Sequence, residues 1–138
     1  MAGYSGTPLV KKLGIKDNFK IAFVNAPRDF ENLLKLPAGV SINSTSSKPL
    51  DFVLLFVKSQ RELEKKFSRY AERLTSSGIF WISWPKKASG VVTDLDGNIV
   101  RECGLAKGMV DIKVCAIDDI WSGLKFVFRL HDRPARDR

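Results

Sequence analysis

The stretch DFVLLFV at residues 51–57, followed by IFWISW at residues 79–84, decides the fold class. The first run is apolar from residue 52 to residue 57 without alternation, which is typical of a strand that is covered on both faces in a parallel sheet. The second run predicts the next buried strand. Between them, Ser59 and Glu62 have the spacing of a capping box at the start of a helix. An apolar stripe then continues to about Leu74, where we expect this helix to end. A strand, a helix and a second buried strand predict an α/β domain with a mostly parallel sheet.

The residues before this unit add weaker elements. FKIAFVN at 19–25 predicts a strand, and RDFENLLK at 28–35 places apolar side chains on one helical face. Residues 1–18 form an N-terminal arm in which we expect a short helix at 9–13. Residues 40–43 are at best a short edge strand.

The residues after this unit predict a helix and a hairpin. Thr93, with Asp96 three residues on, is a candidate helix start, and Gly108 is the glycine expected just beyond the helix end. Leu95, Ile99, Cys103 and Ala106 are expected to share the buried face of that helix. The strands expected at 110–117 and 124–130 are joined by about six residues. This connection fits an antiparallel hairpin, because a parallel return needs about a dozen residues.

The whole pattern predicts one α/β domain over residues 1–130. We expect a three-layer sandwich whose mostly parallel, Rossmann-like sheet has about five or six strands and finishes in an antiparallel hairpin. Residues 131–138 are highly charged, and we expect them to form a disordered tail.

Composition limits the class of protein. The chain has 138 residues, 44% of them hydrophobic, and a net charge of +8. A membrane span needs roughly 20 apolar residues, whereas the longest uninterrupted apolar run covers only residues 52–57. The first residues lack the basic and apolar regions of a signal peptide. We therefore expect a cytoplasmic protein with no membrane partner.

Cysteine and histidine limit the chemistry. The only cysteines are Cys103 and Cys115, each in an apolar stretch, and the only histidine is His131 in the charged tail. We expect two buried thiols in a reducing compartment and no metal site. Because no histidine in the body of the chain can serve a nucleophile, Ser-His and Cys-His hydrolysis are excluded.

One loop suggests a ligand site. Ligands of open α/β sheets bind at the carboxyl ends of the strands, and WPKKASG at 84–90 ends such a strand. Lys86 and Lys87 supply positive charge, Ser89 a hydroxyl, and Gly90 close backbone approach to an anion. Alternatively, the loop is a solvated basic turn and the facing tryptophan only caps the core. The residues expected across the rim from this loop are Trp121 as a stacking wall, Ser122 and Lys125.

A basic row on the long helix suggests a second surface. The row recurs every fourth residue, opposite the apolar stripe. Such a row can neutralise phosphates of nucleic acid, although without interleaved aromatic residues we expect weak binding or none. The alternative is an ordinary solvated helix face. The members of the basic row are Arg61, Lys65, Arg69 and Arg73.

The element order resembles the second half of the methyltransferase branch of Rossmann-like folds. That branch uses S-adenosylmethionine (SAM), and its first strand ends in a glycine-rich turn. This chain has Asn25-Ala26-Pro27 there, no GxG anywhere, and no acid in residues 40–47 to hold a ribose. We therefore expect no cofactor, with SAM binding only under the alternative of a trimmed methyltransferase.

The chain also resembles a bacterial family of domains of unknown function. The resemblance covers nearly the whole chain and implies a small cytoplasmic bacterial protein without an activity that can be carried over. Its signature stretches are GYSGTPL at 3–9, KKLGI at 11–15, WPKKASG at 84–90, VCA at 114–116 and WSGLK at 121–125.

Together, these observations favour a non-catalytic module that binds a phosphate-bearing, nucleotide-like ligand at the carboxyl ends of the strands. A trimmed SAM-dependent methyltransferase and a weak, sequence-independent nucleic-acid-binding protein are the alternatives.

Overall fold

A computed structural model describes residues 8–42 and 49–132, except for the side chain of His131. It contains one six-stranded sheet in the order β2-β1-β3-β4-β6-β5. The strands are β1 (Lys20–Val24), β2 (Ser41–Ile42), β3 (Leu50–Phe56), β4 (Leu74–Pro85), β5 (Met109–Ala116) and β6 (Trp121–Phe128).

Three α-helices and three short 3-10 turns complete the described residues. The helices are α1 (Leu9–Leu13), α2 (Gln60–Ala71) and α3 (Gly97–Ala106), and the 3-10 turns span Glu31–Leu33, Lys87–Ser89 and Leu130–Asp132. In this part of the chain, no helix is both long and apolar enough to cross a membrane.

The sheet confirms the predicted fold class. The first four strands in the spatial order, β2, β1, β3 and β4, are parallel, and β6 pairs antiparallel with both β4 and β5. Every residue of β3 after Asp51 is buried, because this strand lies near the middle of the sheet with packing on both faces. The predicted edge strand at residues 40–43 exists as β2, although Asn43 lies outside the described residues.

Separate hydrophobic cores cover the two faces of the sheet. Leu63 and Phe67 of α2 and Val100 of α3 pack into one core, and this side is called the α2 face. Leu13 of α1 packs into the other core, on the side called the α1 face. There, the indole Nε1 of Trp81 donates a 2.9 Å hydrogen bond to the carbonyl of Leu13, which fixes α1 against β4.

Two helix predictions require correction. The predicted helix at residues 28–35 is only a 3-10 turn at Glu31–Leu33, and Leu33 is 76% exposed. Helix α2 ends at Ala71, and Leu74 instead begins β4, paired with Leu50. Both positions were assigned from apolar spacing, which does not distinguish a helix residue from a residue that pairs in a neighbouring strand.

The C-terminal half follows the prediction more closely. The predicted start at Thr93 requires correction: Asp96, three residues later, caps α3 by accepting a 2.9 Å hydrogen bond from the Ile99 N–H. Gly108 has the expected positive φ of 92°. The buried face of α3 consists of Val100, Cys103 and Gly104, however, while Ala106 is exposed.

The last strand and the tail differ from their predicted bounds. β6 begins at Trp121, three residues earlier than predicted, and ends at Phe128. The charged tail begins with the 3-10 turn at Leu130–Asp132. The rest of the expected disordered tail, and residues 3–7 of the first signature stretch, lie outside the described residues.

Candidate functional site

The strand order creates a crevice between β1 and β3. From this pair, β2 continues the sheet in one direction and β4 in the other, so the point between them is a topological switch point. Ligands of open α/β sheets bind in the crevice at the carboxyl ends of the strands at such a point. A cavity of about 470 Å³ lies there. It is lined by Asn25, Pro27, Phe56, Lys58, Glu62, Val91, Ile120 and Trp121.

Asn25 joins the two strands at the floor of this cavity. Its φ of 59° is left-handed, a conformation that asparagine tolerates better than most other residues. Its side-chain amide donates to the carbonyl of Phe56 at 3.4 Å and to the Glu62 carboxylate at 3.2 Å. One side chain thereby connects the end of β1, the end of β3 and the first turn of α2.

Glu62 is held in the cavity wall by several groups. Its backbone N–H donates to Ser59 Oγ at 3.1 Å, and its Oε1 accepts a 2.9 Å hydrogen bond from the Lys58 N–H. Lys66 lies 3.6 Å from Oε2. About a third of the side chain remains exposed, at 32%. The result is a positioned carboxylate that can still accept hydrogen bonds from a ligand.

The opposite wall is apolar and rigid. The Trp121 indole is 8% exposed, and its ring lies perpendicular to Phe56 with 5.1 Å between centroids. Asp118 Oδ1 accepts 2.8 Å hydrogen bonds from the N–H groups of Ile120 and Trp121, which shapes the turn before β6. The Lys86 N–H donates to the carbonyl of Ile120 at 2.8 Å and ties this turn to the end of β4.

The predicted loop lies beside this cavity, but only its neighbour Val91 lines it. Ser89 Oγ donates to the carbonyl of Lys86 at 2.6 Å and accepts from the Val91 N–H at 3.2 Å. The Ser89 hydroxyl therefore makes its hydrogen bonds within its own loop. Gly90 has a φ of 78° and is exposed, and Lys87 is also exposed.

The other predicted residues are divided among different places. Trp121 is the only member of the predicted ligand set in the cavity lining. The carbonyl of Ser122 accepts a 2.8 Å hydrogen bond from Ser83 Oγ. Lys125 pairs in register with Trp81, four residues along β6 from the cavity, and does not join the loop.

The predicted basic row has three members on α2. Arg61, Lys65 and Arg69 are exposed on the helix. Arg73 lies after the helix end and is half-buried, because the chain has already turned toward β4. No group of three His, Cys, Asp or Glu side chains within residues 8–42 and 49–132 is placed to hold a metal ion.

Comparisons with known proteins place the fold. No protein-family model matches the chain, and no curated protein matches it, so the resemblance to the bacterial family stays a prediction. Solved structures do match. The precorrin-6y C5,15-methyltransferase of Geobacter metallireducens GS-15 aligns with a TM-score of 0.59 and 11% identity, over 88% of this chain and 86% of that one.

Two further solved structures agree. A SAM-dependent methyltransferase from Aquifex aeolicus aligns with a TM-score of 0.51 and 14% identity, over 86% of each chain. The magnesium protoporphyrin IX methyltransferase of Synechocystis PCC 6803, solved with bound SAH, gives 0.55 and 10%, over 88% of this chain and 78% of that one. At these identities, the likeness defines a methyltransferase-type Rossmann-like fold.

The expectation that the chain binds no cofactor was wrong. It relied on the missing glycine-rich turn and missing ribose acid, both properties of local sequence. The fold is instead shared with methyltransferases, one of them solved with SAH. A crevice also remains at the switch point, formed by side chains from β1, β3 and α2. The comparisons bear on the fold alone, and that fold is the one expected under the alternative of a trimmed methyltransferase.

Proposed function

We propose that this protein is a trimmed SAM-dependent methyltransferase that binds SAM in the cavity between β1 and β3. The observation that carries the proposal is a positioned carboxylate, Glu62, in the wall of a cavity at the switch point of a methyltransferase-type fold. The cavity volume of about 470 Å³ lies within the range of roughly 300–1,000 Å³ that is usual for small-molecule sites.

The lining side chains fit the chemical groups of such a nucleoside. The Glu62 carboxylate can accept hydrogen bonds from the two ribose hydroxyls. Ile120, which is exposed, and the accessible edge of Trp121 offer apolar surface to the adenine ring. The exposed Lys58 ammonium can pair with the carboxylate of the methionine part. Bound SAM would supply an activated methyl group, and these residues would hold and orient it.

The mode of binding must differ from that of a glycine-rich turn. Pro27 has no N–H to offer, and the segment after it forms only the 3-10 turn at Glu31–Leu33. An N-terminus of a long helix is therefore missing at the end of β1, and with it a set of free backbone donors. Recognition would depend on Glu62, Lys58 and the Trp121 wall instead.

Calorimetry with SAM and with SAH tests this proposal. We expect saturable binding of both to the native protein, and binding weakened about tenfold or more in Glu62→Gln. A hydrogen bond to a charged group contributes about 1.5–3 kcal/mol, and each 1.4 kcal/mol is about tenfold in Kd. The matched control is Glu64→Gln on the same helix, whose carboxylate is 62% exposed and pairs with Lys107 outside the cavity.

Two results would contradict the proposal. The first is no saturable binding of either compound at millimolar concentration. The second is equal loss of affinity in Glu62→Gln and Glu64→Gln, since a general charge effect would then replace a specific contact. A thermal shift gives an independent readout, because a ligand at 100 times its Kd adds about 2.7 kcal/mol to the free energy of unfolding.

A further inference from the structure

Three lysines from distant parts of the chain meet on the α1 face, away from the cavity. Lys113 in β5 and Lys125 in β6 are register partners in the antiparallel pair. Side chains in directly opposite positions have Cβ atoms about 5 Å apart. A Cβ placed on Gly14, at the end of α1, would lie 3.4 Å from Lys125 Nζ. Lys16, two residues further along, is close enough to act electrostatically on Lys125.

No acid balances these charges within residues 8–42 and 49–132. None of the three lysines forms an ion pair with a described residue, and the charged neighbours that act on Lys125 are Lys113 and Lys16. Lys113 Nζ donates to the carbonyl of Lys12 at 3.2 Å, which is only a partial negative charge. Like charges directly opposite each other in a sheet are destabilising. Burial and these two lysines lower the pKa of Lys125.

We propose that Lys16, Lys113 and Lys125 form a binding site for a compact multivalent anion of the phosphate or diphosphate class. The ammonium group of lysine is a point charge that suits phosphate oxygens. The β5–β6 pair fixes two of the ammonium stems, and the hydrogen bond from Trp81 to Leu13 holds the segment that carries Lys16 against the same face. The positions are therefore prepared before any ligand arrives.

The site is separate from the proposed nucleoside cavity. Lys125 lies four residues along β6 from Trp121, which corresponds to about 13 Å of extended strand. The anion site therefore does not depend on SAM binding, and failure of either proposal leaves the other standing.

A compact anion fits better than a nucleic-acid strand. The basic row of α2, represented by Lys65, belongs to a helix that packs on the α2 face, whereas Lys113 and Lys125 lie on the α1 face. The sheet separates these two basic surfaces, so they do not form a continuous track for a polymer backbone. The convergence of three ammonium groups from separate segments instead describes a local site.

Calorimetry with inorganic diphosphate at constant ionic strength tests the site. We expect saturable binding that is at least tenfold weaker in Lys113→Met and in Lys125→Met. Lys16→Met, at an exposed position outside the sheet, should also weaken diphosphate binding. The control is Lys65→Met, which removes the same charge from the α2 face and should bind diphosphate like the native protein. Equal weakening in Lys65→Met, or no saturable binding to the native protein, would overturn the proposal.

The Lys125 pKa provides a second readout. Its titratable neighbours are Lys113 from β5 and Lys16 from the α1–β1 segment, while β4 presents the uncharged Trp81. Saturating diphosphate should raise this pKa, measured by NMR, because the anion favours the charged form. An unchanged pKa at saturation would place the anion elsewhere. A 20-base-pair DNA duplex is the competing probe: salt-sensitive duplex binding that requires Lys113 and Lys125, without diphosphate binding, would also reject the compact-anion site.

The lowered pKa of Lys125 also predicts how the stability of the free protein depends on pH. Because the folded pKa of Lys125 lies below its ordinary value of 10.5, the unfolded state binds this proton more tightly. The Lys125 contribution to the free energy of unfolding should therefore rise with pH from the lowered pKa up to about 10.5. It is measured as the difference between the native protein and Lys125→Met, because the raised pKa of Cys103 contributes a fall over the same range that both proteins share. In Lys125→Met, this rise should be absent, and the melting temperature at neutral pH should exceed that of the native protein. A melting temperature at neutral pH that is higher in the native protein than in Lys125→Met would contradict an unbalanced cluster of positive charges.

Discussion

A single methyl group at Gly104 tests how α3 packs against the sheet. A Cβ added there would overlap the ring of Phe126, with Phe126 Cζ at 2.5 Å and Cδ1 at 2.6 Å. The ring atom Cε1 lies nearer still, and ordinary carbon contacts need about 3.5 Å, so α3 or the ring must move by more than about 1 Å. Phe126 cannot yield easily, because it is fully buried and meets Phe67 edge to face at 5.7 Å.

The magnitudes decide the sign of Gly104→Ala. Replacing a helical glycine by alanine contributes up to about 1 kcal/mol of helix propensity. Overpacking a well-filled core costs typically about 1–3 kcal/mol and occasionally more. With an overlap of this depth we take the upper end, a net loss of about 2 kcal/mol. This loss corresponds to a melting temperature roughly 6–10 °C lower in a chain of this size.

Gly97→Ala is the matched control on the same helix. Its Cβ would meet only Trp84 Cζ2, at an ordinary 3.7 Å. We expect a melting temperature equal to or slightly above that of the native protein. Differential scanning calorimetry on both variants separates propensity from packing. A Gly104→Ala variant as stable as Gly97→Ala would refute the close approach of α3 to β6.

Three further predictions follow from local contacts. Ser59→Ala should lower the free energy of unfolding in urea by about 1 kcal/mol, because α2 loses its N-terminal cap. Burial, with a smaller contribution from the Glu64 charge, raises the pKa of Cys103 to about 11. In a Cys115→Ser variant, Cys103 should therefore be alkylated at pH 8 more than tenfold more slowly in the folded protein than in the protein unfolded by urea. Duplex DNA binding through α2 should be weak, with a log–log salt slope no steeper than roughly −2.7 for three neutralised phosphates, and Lys65→Glu with Arg69→Glu should abolish it.

Each of these predictions has a contradicting result. Ser68→Ala, exposed in the middle of α2, should not destabilise, and equal loss in both serine variants would remove the capping argument. Rapid alkylation of native Cys103 would mean that α3 opens readily. Duplex binding that resists salt would require a specific contact other than the α2 row.

The central strands and α2 were predictable because their signals are local. Continuous apolar runs indicate strands covered on both faces, and β3 and β4 occupy that position. Ser59 and Glu62 identified the start of α2 through one cap, which the structure contains. The turn at Gly108 was predictable for the same reason, since a positive φ after a helix favours glycine.

The helix predicted at residues 28–35 failed for a physical reason. It lies between Pro27 and Pro37, and a helix this short is marginal without tertiary packing. Phe30 finds such packing, edge to face with Phe23 at 5.4 Å and with Phe56 at 5.1 Å, and Leu34 packs partly buried against the same core. Leu33 remains exposed. These two contacts fix a 3-10 turn but do not make a continuous buried helical face.

The cavity could not be located from the sequence, because it depends on which strands are neighbours. β1 lies beside β3, and this non-local pairing brings Asn25 to Glu62 across 37 residues of chain. The capping position of Glu62 accounts for this residue in the sequence, so the pattern gives no sign of its hydrogen bond with Asn25. An asparagine directly after a buried strand is a signal for a left-handed turn, and it was the one available clue.

Whether a shortened first half can still hold a nucleoside depends on how the binding energy is distributed. A glycine-rich turn binds through backbone N–H groups, so substitution of any one side chain changes such binding little. Here the β1 turn contains Pro27, and the described polar groups in the cavity wall belong to side chains, above all Glu62 and Lys58. Affinity should therefore fall sharply when Glu62 loses its charge. The comparison of Glu62→Gln with Glu64→Gln distinguishes these two modes of recognition, because only a side-chain mode makes the two variants differ.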